Sequence, residues 1–299
     1  MSNKIKNETV YRIDHIPGEE IDVDQEFENI HTHREYDIHG NLLMEITYTR
    51  DGALADKILM DYDEKGNLTE TRVFDEYDDI LERKEAHYFP DGRLQKEITH
   101  YLDGSYDLNE YFYDDEGRLT GMKVKDDEDE PDYSERYFYD GEDVVKLERY
   151  DDEDELIFSQ EDKFEAGKLS SRTTWSDEDD EPYTLVQNYS VHGHMVEELR
   201  YNSDNELVER NIYEEDENGR VFRLTEENRQ RKNTTEFEYD DKGRVTYQKE
   251  TDLHGDLNHE LWRFFSPDGE LVRTTVEMVM KPSLEKRAYS LIHKREYYS

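Results

Sequence analysis

The sequence predicts an all-β protein, an extended antiparallel β-meander of about twenty strands in a single sheet that is curled or partly shell-like. The main evidence is internal repetition. Ten glycines recur along the 299 residues at intervals of 24 to 26 residues. A regular period in this range is typical of a repeat architecture. The ten glycines are Gly40, Gly66, Gly92, Gly117, Gly141, Gly167, Gly193, Gly219, Gly243 and Gly269.

The residues around each glycine supply the second observation. The fourth residue before it is aromatic in eight of the ten repeats, and the second residue after it is aliphatic in nine. Asp, Glu, Asn and Gly lie between these two positions, and they favour turns because they bond to the backbone or tolerate positive φ. The segment Tyr62–Leu68 (YDEKGNL) is an example. The pattern therefore predicts a strand, a turn and a strand in each repeat.

A second, less regular turn falls near the middle of each repeat. It is visible at Asp51-Gly52, Asp103-Gly104 and His254-Gly255. The strands between successive turns are then about seven to nine residues long, a usual length for a β-strand. Ten ~26-residue hairpin repeats thus give the twenty strands of the predicted meander.

The extent of the repetition divides the chain into three predicted segments. Residues 36–277 form the predicted hairpin repeat array. Residues 1–35 do not follow the period and are predicted to be an N-terminal cap with short strands at Val10–Ile13 and Ile21–Val23. Residues 278–299 are predicted to be a basic C-terminal cap or tail, because the stretch from Lys281 carries five Lys or Arg against two Glu. This stretch either folds back on the acidic body or forms a last strand pair.

The composition favours a sheet with a shallow core. Hydrophobic residues make up 33% of the chain and charged residues 39%, a balance that approaches that of disordered proteins. The periodic tyrosines and leucines nevertheless indicate order. We therefore expect cross-strand side-chain pairs to contribute more to stability than a deep apolar core.

The net charge of -41 limits the classes of partner. Such a charge attracts cations and basic proteins and repels nucleic acids and anionic membranes. The chain contains no cysteine, which rules out disulfides and thiolate chemistry. With no apolar signal segment or membrane-spanning run in the sequence, the expected location is cytoplasmic.

The acidic residues are most concentrated at three of the less regular turns, about one repeat apart: 126–132, 151–155 and 176–182. In a meander these turns would project from one edge of the sheet. They are the predicted partner-binding site, although solvated turns would have the same composition. The predicted site residues are Asp126, Asp127, Glu128, Asp129, Asp151, Asp152, Asp154, Asp177, Asp179 and Asp180.

The sequence gives no pattern that identifies a catalytic, metal or cofactor site. His31 and His33, and likewise His192 and His194, are spaced so that both imidazoles can face one way, but no third or fourth ligand is evident. The acidic runs lack the spacing of a calcium loop. Motifs for a nucleophilic serine or for nucleotide phosphates are absent. We therefore expect no enzyme activity, no metal and no cofactor.

The motifs at 62–68, 90–94, 113–120 and 239–246 (YDEKGNL, PDGRL, YDDEGRLT and YDDKGRVT) resemble the YD repeats of the RHS family. They are also similar to MORN-type repeats of bacterial proteins often labelled antitoxins. The resemblance covers about residues 36–271 and implies long β-sheets, which in RHS proteins wind into a shell around a toxin domain. This chain has a somewhat longer period, no toxin domain or autoproteolytic core motif, and far more acidic residues. Residues 111–121 have a fainter similarity to choline- and glucan-binding repeats.

Together these features predict a non-catalytic, stand-alone scaffold that binds a basic protein through an acidic edge. The resemblance implies a bacterial immunity or antitoxin-like protein, with a cationic toxin as the partner. Two alternatives remain open. Rows of tyrosine could form a cell-surface carbohydrate-binding module, or the chain could be a structural subunit of a larger assembly. The oligomeric state does not follow from the sequence.

Overall fold

The computed structural model describes residues 4–178 and 181–298, and these residues form 22 β-strands. The strands are β1 Ile5–His15, β2 Ile30–Tyr36, β3 Leu42–Tyr48, β4 Leu54–Tyr62, β5 Leu68–Phe74, β6 Ile80–Tyr88, β7 Leu94–Tyr101, β8 Tyr106–Tyr113, β9 Leu119–Lys125, β10 Pro131–Asp140, β11 Asp143–Asp151, β12 Leu156–Glu165, β13 Lys168–Ser176, β14 Tyr183–Tyr189, β15 Met195–Asn202, β16 Leu207–Glu215, β17 Val221–Asn228, β18 Lys232–Tyr239, β19 Val245–Asp252, β20 Leu257–Phe265, β21 Leu271–Met280 and β22 Glu285–Tyr297. The described residues contain no helix long and apolar enough to span a membrane.

The chain divides into two compact units. Unit 1 comprises Met1–Glu110, Asp126–Asp129 and Leu261–Ser299, and unit 2 comprises Tyr111–Lys125 and Glu130–Glu260. Unit 1 contains β1 to β7, β21, β22 and parts of β8 and β20. Unit 2 contains β9 to β19 and the rest of those two strands. Within each unit, strands that follow one another in the chain pair antiparallel.

The prediction of an open, curled meander of about twenty strands is wrong. The structure has one antiparallel sheet of 22 strands, and that sheet is closed. Strand β1 pairs with β2 on one side and with the last strand, β22, on the other. Its ladder with β22 runs from Ile5↔Tyr297 to His15↔Ala288. Closure gives both terminal strands a hydrogen-bonding partner, so neither leaves an unpaired edge.

Four tyrosines connect a hairpin to the preceding one, whereas the hydroxyl of the repeat tyrosine Tyr189 bonds to the Gln187 side chain. The Tyr62 hydroxyl donates to the carbonyl oxygen of Leu42 at 2.9 Å, and the Tyr88 hydroxyl donates to Leu68 at 2.7 Å. Tyr139 and Tyr239 make the same contact with Leu119 and Val221. In the repeat of Gly141 the bond comes from Tyr139, two residues before the glycine, whereas the sequence pattern indicated Tyr137. The turn there is shorter, since β10 ends at Asp140 and β11 begins at Asp143.

Few apolar side chains are fully buried. Among the described residues the buried hydrophobic set is Val10, Phe74, Met122, Val124, Val276, Ala288 and Ile292. Buried polar side chains are as numerous and include threonines from several repeats, Thr32, Thr99, Thr174, Thr235 and Thr274. Stability therefore depends strongly on hydrogen-bonded ladders, because each buried polar group needs a partner.

The most deeply buried side chains in the described chain, Ile292 and Ser290, lie in β22 near its junction with β1. The connection from β1 to β2, residues 16–29, packs close to this junction, and we call it the strap. Arg273 donates to the Ile21 carbonyl at 3.0 Å, and Phe27 contacts Tyr11 with ring centroids 5.6 Å apart. The predicted strand at Ile21–Val23 is absent, because the strap bonds to side chains of the sheet and has no strand partner.

A buried carboxylate joins the three strands that close the sheet. Glu8 of β1 accepts a hydrogen bond from Arg34 of β2 at 3.1 Å and forms an ion pair with Arg295 of β22 at 2.6 Å. One of its oxygens is 3.2 Å from Nδ1 of His293. The hydrogen bonds from His293 and Arg34 and the charges of Arg295 and His293 outweigh burial and lower the pKa of Glu8 from 4.5 to about 2. The carboxylate therefore favours closure while it is ionised.

We predict that Glu8→Gln lowers the free energy of unfolding by about 3 kcal/mol at neutral pH, the equivalent of the pKa shift. Because folded Glu8 binds its proton more weakly than unfolded Glu8, its contribution is complete above pH 4.5 and is lost as the pH falls towards 2. Urea unfolding across this range measures the effect. The control is Glu35→Gln in β2, whose side chain is 47% exposed. Equal stability and equal pH dependence of the two variants would contradict the stabilising role of the Glu8 carboxylate.

Candidate functional site

Eight of the ten repeat-glycine turns, all except those of Gly141 and Gly167, share one hydrogen-bonding pattern. In Asp63–Asn67 the first backbone N–H donates to the fifth carbonyl at 2.9 Å, and the N–H of Gly66 donates to the Asp63 carbonyl at 3.0 Å. The Asp63 carboxylate accepts the backbone N–H groups of Lys65 and Asn67 and also the Asn67 side-chain amide. Gly66 has φ +85°, which explains the glycine at this position.

The less regular turns repeat this geometry with different residues. In Asp151–Glu155 the Asp151 carboxylate accepts the N–H groups of Glu153 and Glu155 at 3.0 and 2.8 Å. Asp154 takes the place of the glycine, with φ +62°. Asp and Asn tolerate this conformation better than most residues. Asp151 and Asp154 therefore have structural roles in the turn.

The turn that begins at Asp126 lies in unit 1 and has the same form. The N–H of Asp129 donates to the Asp126 carbonyl at 3.1 Å, and the N–H of Glu128 donates to the Asp126 carboxylate at 3.0 Å. Asp129 has φ +64°. Asp127, Glu128 and Asp129 are exposed. Two of the four predicted binding residues here, Asp126 and Asp129, thus also form the turn.

The backbone geometry of these turns does not require as many carboxylates as the acidic turns contain. The turn Tyr101–Ser105 has the same backbone hydrogen bonds and a single acidic residue, Asp103. The turns Asp151–Glu155 and Asp126–Glu130 each have five. Asp152 and Glu153 are exposed, and their side chains are not needed for the turn. These surplus carboxylates set the predicted site apart from an ordinary turn.

Two of the acidic turns are close together in unit 2. They connect β11 to β12 and β13 to β14, and alternate connections of an antiparallel meander lie at the same edge. Arg149, next to the first turn, bonds to Glu178 in the second at 2.5 Å. We call Asp151, Asp152, Asp154, Asp177 and Glu178 the acidic edge. Asp179 and Asp180 lie outside the described residues.

Arginines of the adjoining strands offset part of this charge. Arg136 of β10 bonds to Asp154 at 2.6 Å and stacks on the ring of Tyr150. Arg149 also bonds to Glu135, whose side chain is only 7% exposed. Asp152, Glu153 and Asp177 are exposed as well, and we call these three residues the exposed rim. The edge therefore combines carboxylates that are held by arginines with the carboxylates of the exposed rim.

One histidine pair acquires a neighbour that the sequence did not indicate. His194 lies 2.8 Å and His192 3.4 Å from the carboxylate of Glu215, which belongs to the next repeat. Burial opposes ionisation of Glu215, but hydrogen bonds from His194, Ser190 and His192 prevail and lower its pKa. No group of three His, Asp or Glu side chains in residues 4–178 and 181–298 is arranged to hold a metal ion. In the other pair, His33 bonds to Thr9 at 2.9 Å.

We predict that Asp151→Ala and Asp152→Ser differ in their effects on stability. Asp151→Ala removes the acceptor of two backbone N–H groups and should cost about 1 kcal/mol. Asp152→Ser changes an exposed residue and should stay within about 0.5 kcal/mol. Urea unfolding of both variants at one salt concentration compares them. If Asp152→Ser destabilises the fold as much as Asp151→Ala, its carboxylate is a structural group.

No protein-family model matches the chain, and no curated protein matches it. Among solved structures it is similar to TcdB2-TccC3-Cdc42, with 13% identity, 87% of this chain and 17% of that chain covered, and a TM-score of 0.34. It also resembles a porin-like protein from Bacteroides uniformis ATCC 8492, with 8% identity, 98% and 96% of the two chains covered, and a TM-score of 0.31.

A second TcdB2-TccC3 structure, which lacks the hypervariable C-terminal region, matches at 13% identity and a TM-score of 0.24. This chain spans about a sixth of the TcdB2-TccC3 chains that it matches. At these identities and TM-scores the similarities establish neither a family nor an activity for this chain.

Proposed function

We propose that this protein is a non-catalytic scaffold that binds a basic protein through the acidic edge of unit 2. In its most specific form, the proposal is a bacterial immunity or antitoxin-like protein that masks a cationic toxin in the cytoplasm. The YD-type motifs support the choice of this protein class. The surplus of carboxylates supports the choice of a basic partner.

The observation that carries the proposal is the contrast between turns of equal geometry. Tyr101–Ser105 folds with one acidic residue, whereas Asp151–Glu155 carries five. Like charges held close together repel one another, so this concentration costs folding free energy. A function that requires negative charge accounts for it, and a cationic partner would relieve the repulsion.

The arrangement also suits recognition of a protein more than nonspecific retention of ions. Asp154 and Glu178 are oriented by Arg136 and Arg149, while Asp152 and Asp177 remain exposed beside them. Oriented carboxylates can accept hydrogen bonds from Lys or Arg of a partner in defined directions. The field of a chain with net charge -41 would in addition accelerate encounter with a basic protein.

The repeat tyrosines support the carbohydrate-binding alternative less well. The hydroxyls of Tyr62, Tyr88 and Tyr139 donate to backbone carbonyls of the preceding hairpin. These donors are used within the sheet. These three tyrosines therefore have a structural role that needs no sugar ligand.

The test is affinity capture from a lysate of the source cells at low and high salt, with mass spectrometry of the bound proteins. We predict that a basic protein is retained at low salt and released at high salt, since salt screens exposed charges. Neutralisation of the exposed rim by Asp152→Ser, Glu153→Gln and Asp177→Ser should weaken binding of that protein about tenfold or more.

The matched control removes three exposed carboxylates at the opposite edge, with Asp115→Ser, Glu116→Gln and Glu217→Gln. It changes the net charge equally and should alter affinity by less than about twofold. A separate variant, Asp127→Ser with Glu128→Gln, tests the turn of unit 1 by itself. Recovery of no basic protein, or equal weakening by rim and control variants, would contradict the proposal.

A further inference from the structure

A small cavity lies in unit 1 where the strap rejoins the sheet. Most connections in the chain are tight turns, but residues 16–29 separate β1 from β2. The backbone N–H of Arg12 donates to the carbonyl of Asn29, which fixes the end of the strap against β1. Beside this contact is a cavity of about 90 Å³ whose polar lining includes Arg12, Asp14, Asn29, His31, Tyr48 and Arg50.

The lining of this cavity is rich in hydrogen-bond donors. The guanidinium of Arg12 stacks on the ring of Tyr289 at 4.0 Å, and its Nε is buried without a hydrogen-bond partner among the described residues. Its contact with Asp14 is long, at 3.4 Å, whereas Arg50 lies 2.9 Å from the other oxygen of Asp14. Two guanidinium groups therefore share one carboxylate.

The charge of the cavity is opposite to that of the chain. Arg12, Arg50 and Asp14 give the lining a net charge of 2 − 1 = +1 with His31 neutral, in a protein whose net charge is -41. Two guanidinium groups beside a single carboxylate disfavour a metal cation, and the small polar volume disfavours an apolar ligand. Guanidinium N–H groups make their stronger hydrogen bonds to anionic acceptors.

We propose that this cavity binds a small oxyanion, a phosphate or carboxylate group, through Arg12 and Arg50. Its volume corresponds to about three water molecules at about 30 Å³ each, which is sufficient for such a group. Arg12 forms the fixed wall, because stacking on Tyr289 holds its guanidinium in place. Arg50, whose side chain is 73% exposed, forms the mouth and can turn towards an anion that enters. The strap contributes the wall at Asn29.

This site is independent of the acidic edge, because all of its residues belong to unit 1 and none belongs to an acidic turn. It also accounts for part of the length of the strap. A tight turn from β1 to β2 would leave no wall opposite Arg12, whereas the longer connection returns to the sheet at Asn29. Failure of the basic-partner proposal would leave this inference unaffected.

The test titrates the full chain with inorganic phosphate and, separately, with acetate, at constant ionic strength, by isothermal calorimetry and by NMR of the Arg side-chain Nε–H signals. We expect saturable binding of at least one anion at one site per chain. Arg50→Gln should weaken it about tenfold, as expected for loss of one charged hydrogen bond. Arg12→Gln should remove it. Tighter binding of acetate than of phosphate would identify a carboxylate source, and tighter binding of phosphate a phosphate source.

Arg83→Gln is the control, because Arg83 is also an exposed arginine of unit 1 but pairs with Glu70 outside the cavity. It should bind the anion like the unmodified protein. If Arg12→Gln fails to fold, Arg50→Gln still tests the proposal, since the exposed side chain of Arg50 is not needed for folding. Absence of saturable binding by both anions, or undiminished binding by Arg50→Gln, would overturn the proposal.

Discussion

The fold depends on the hydrogen-bonded pairing of the first strand with the last. Without that ladder, β1 and β22 would each present an unpaired edge, and Glu8 would lose Arg295 and His293 and retain only Arg34 of β2 among these three partners. A large apolar core could compensate for such a loss, but the described residues bury few apolar side chains fully. In a sheet with a shallow core, almost every strand needs hydrogen-bonding partners on both sides. Closure of the sheet is therefore part of the same requirement for paired polar groups that the other ladders satisfy.

The same constraint explains how the turns can vary. A five-residue turn needs its two backbone hydrogen bonds and a residue that tolerates positive φ at its fourth position. Asp63 with Gly66 and Asp151 with Asp154 satisfy these two conditions equally. The positions between them contribute little to the fold, so their charge can be set by another requirement. The surplus of acidic residues at Asp151–Glu155 is informative for this reason.

The local structure was readable from the sequence, and the long-range pairing was not. Repeat glycines with positive φ, such as Gly66, correctly indicated antiparallel hairpins in an all-β chain. Closure was missed because β1 lies before the repeats and nothing in its sequence identifies β22 as its partner. The hydrogen bonds between hairpins did not follow from the pattern of aromatic residues: in the repeat of Gly141 a shortened turn places the bonding tyrosine at position 139.

For the candidate sites, too, the local features were predictable from the sequence and the long-range contacts were not. The acidic runs and the edge they occupy follow from composition and from the alternation of turns. The structural roles of Asp151 and Asp154 became visible only with the turn hydrogen bonds. Glu215 beside the histidine pair, and Arg50 opposite Arg12, come from other hairpins, so no local motif could have indicated them. The same holds for Asn29, which is placed by the strap.

Native-state hydrogen exchange of the terminal strands tests the closed sheet most directly. Amide protons of β1 and β22 that bond across their ladder, from Val10↔His293 to Ile13↔Ser290, should exchange as slowly as those of interior strands such as β4 and β5. An open sheet would leave β1 or β22 at an edge. Amides there would then exchange as rapidly as those of a fraying terminus, and that result would contradict closure.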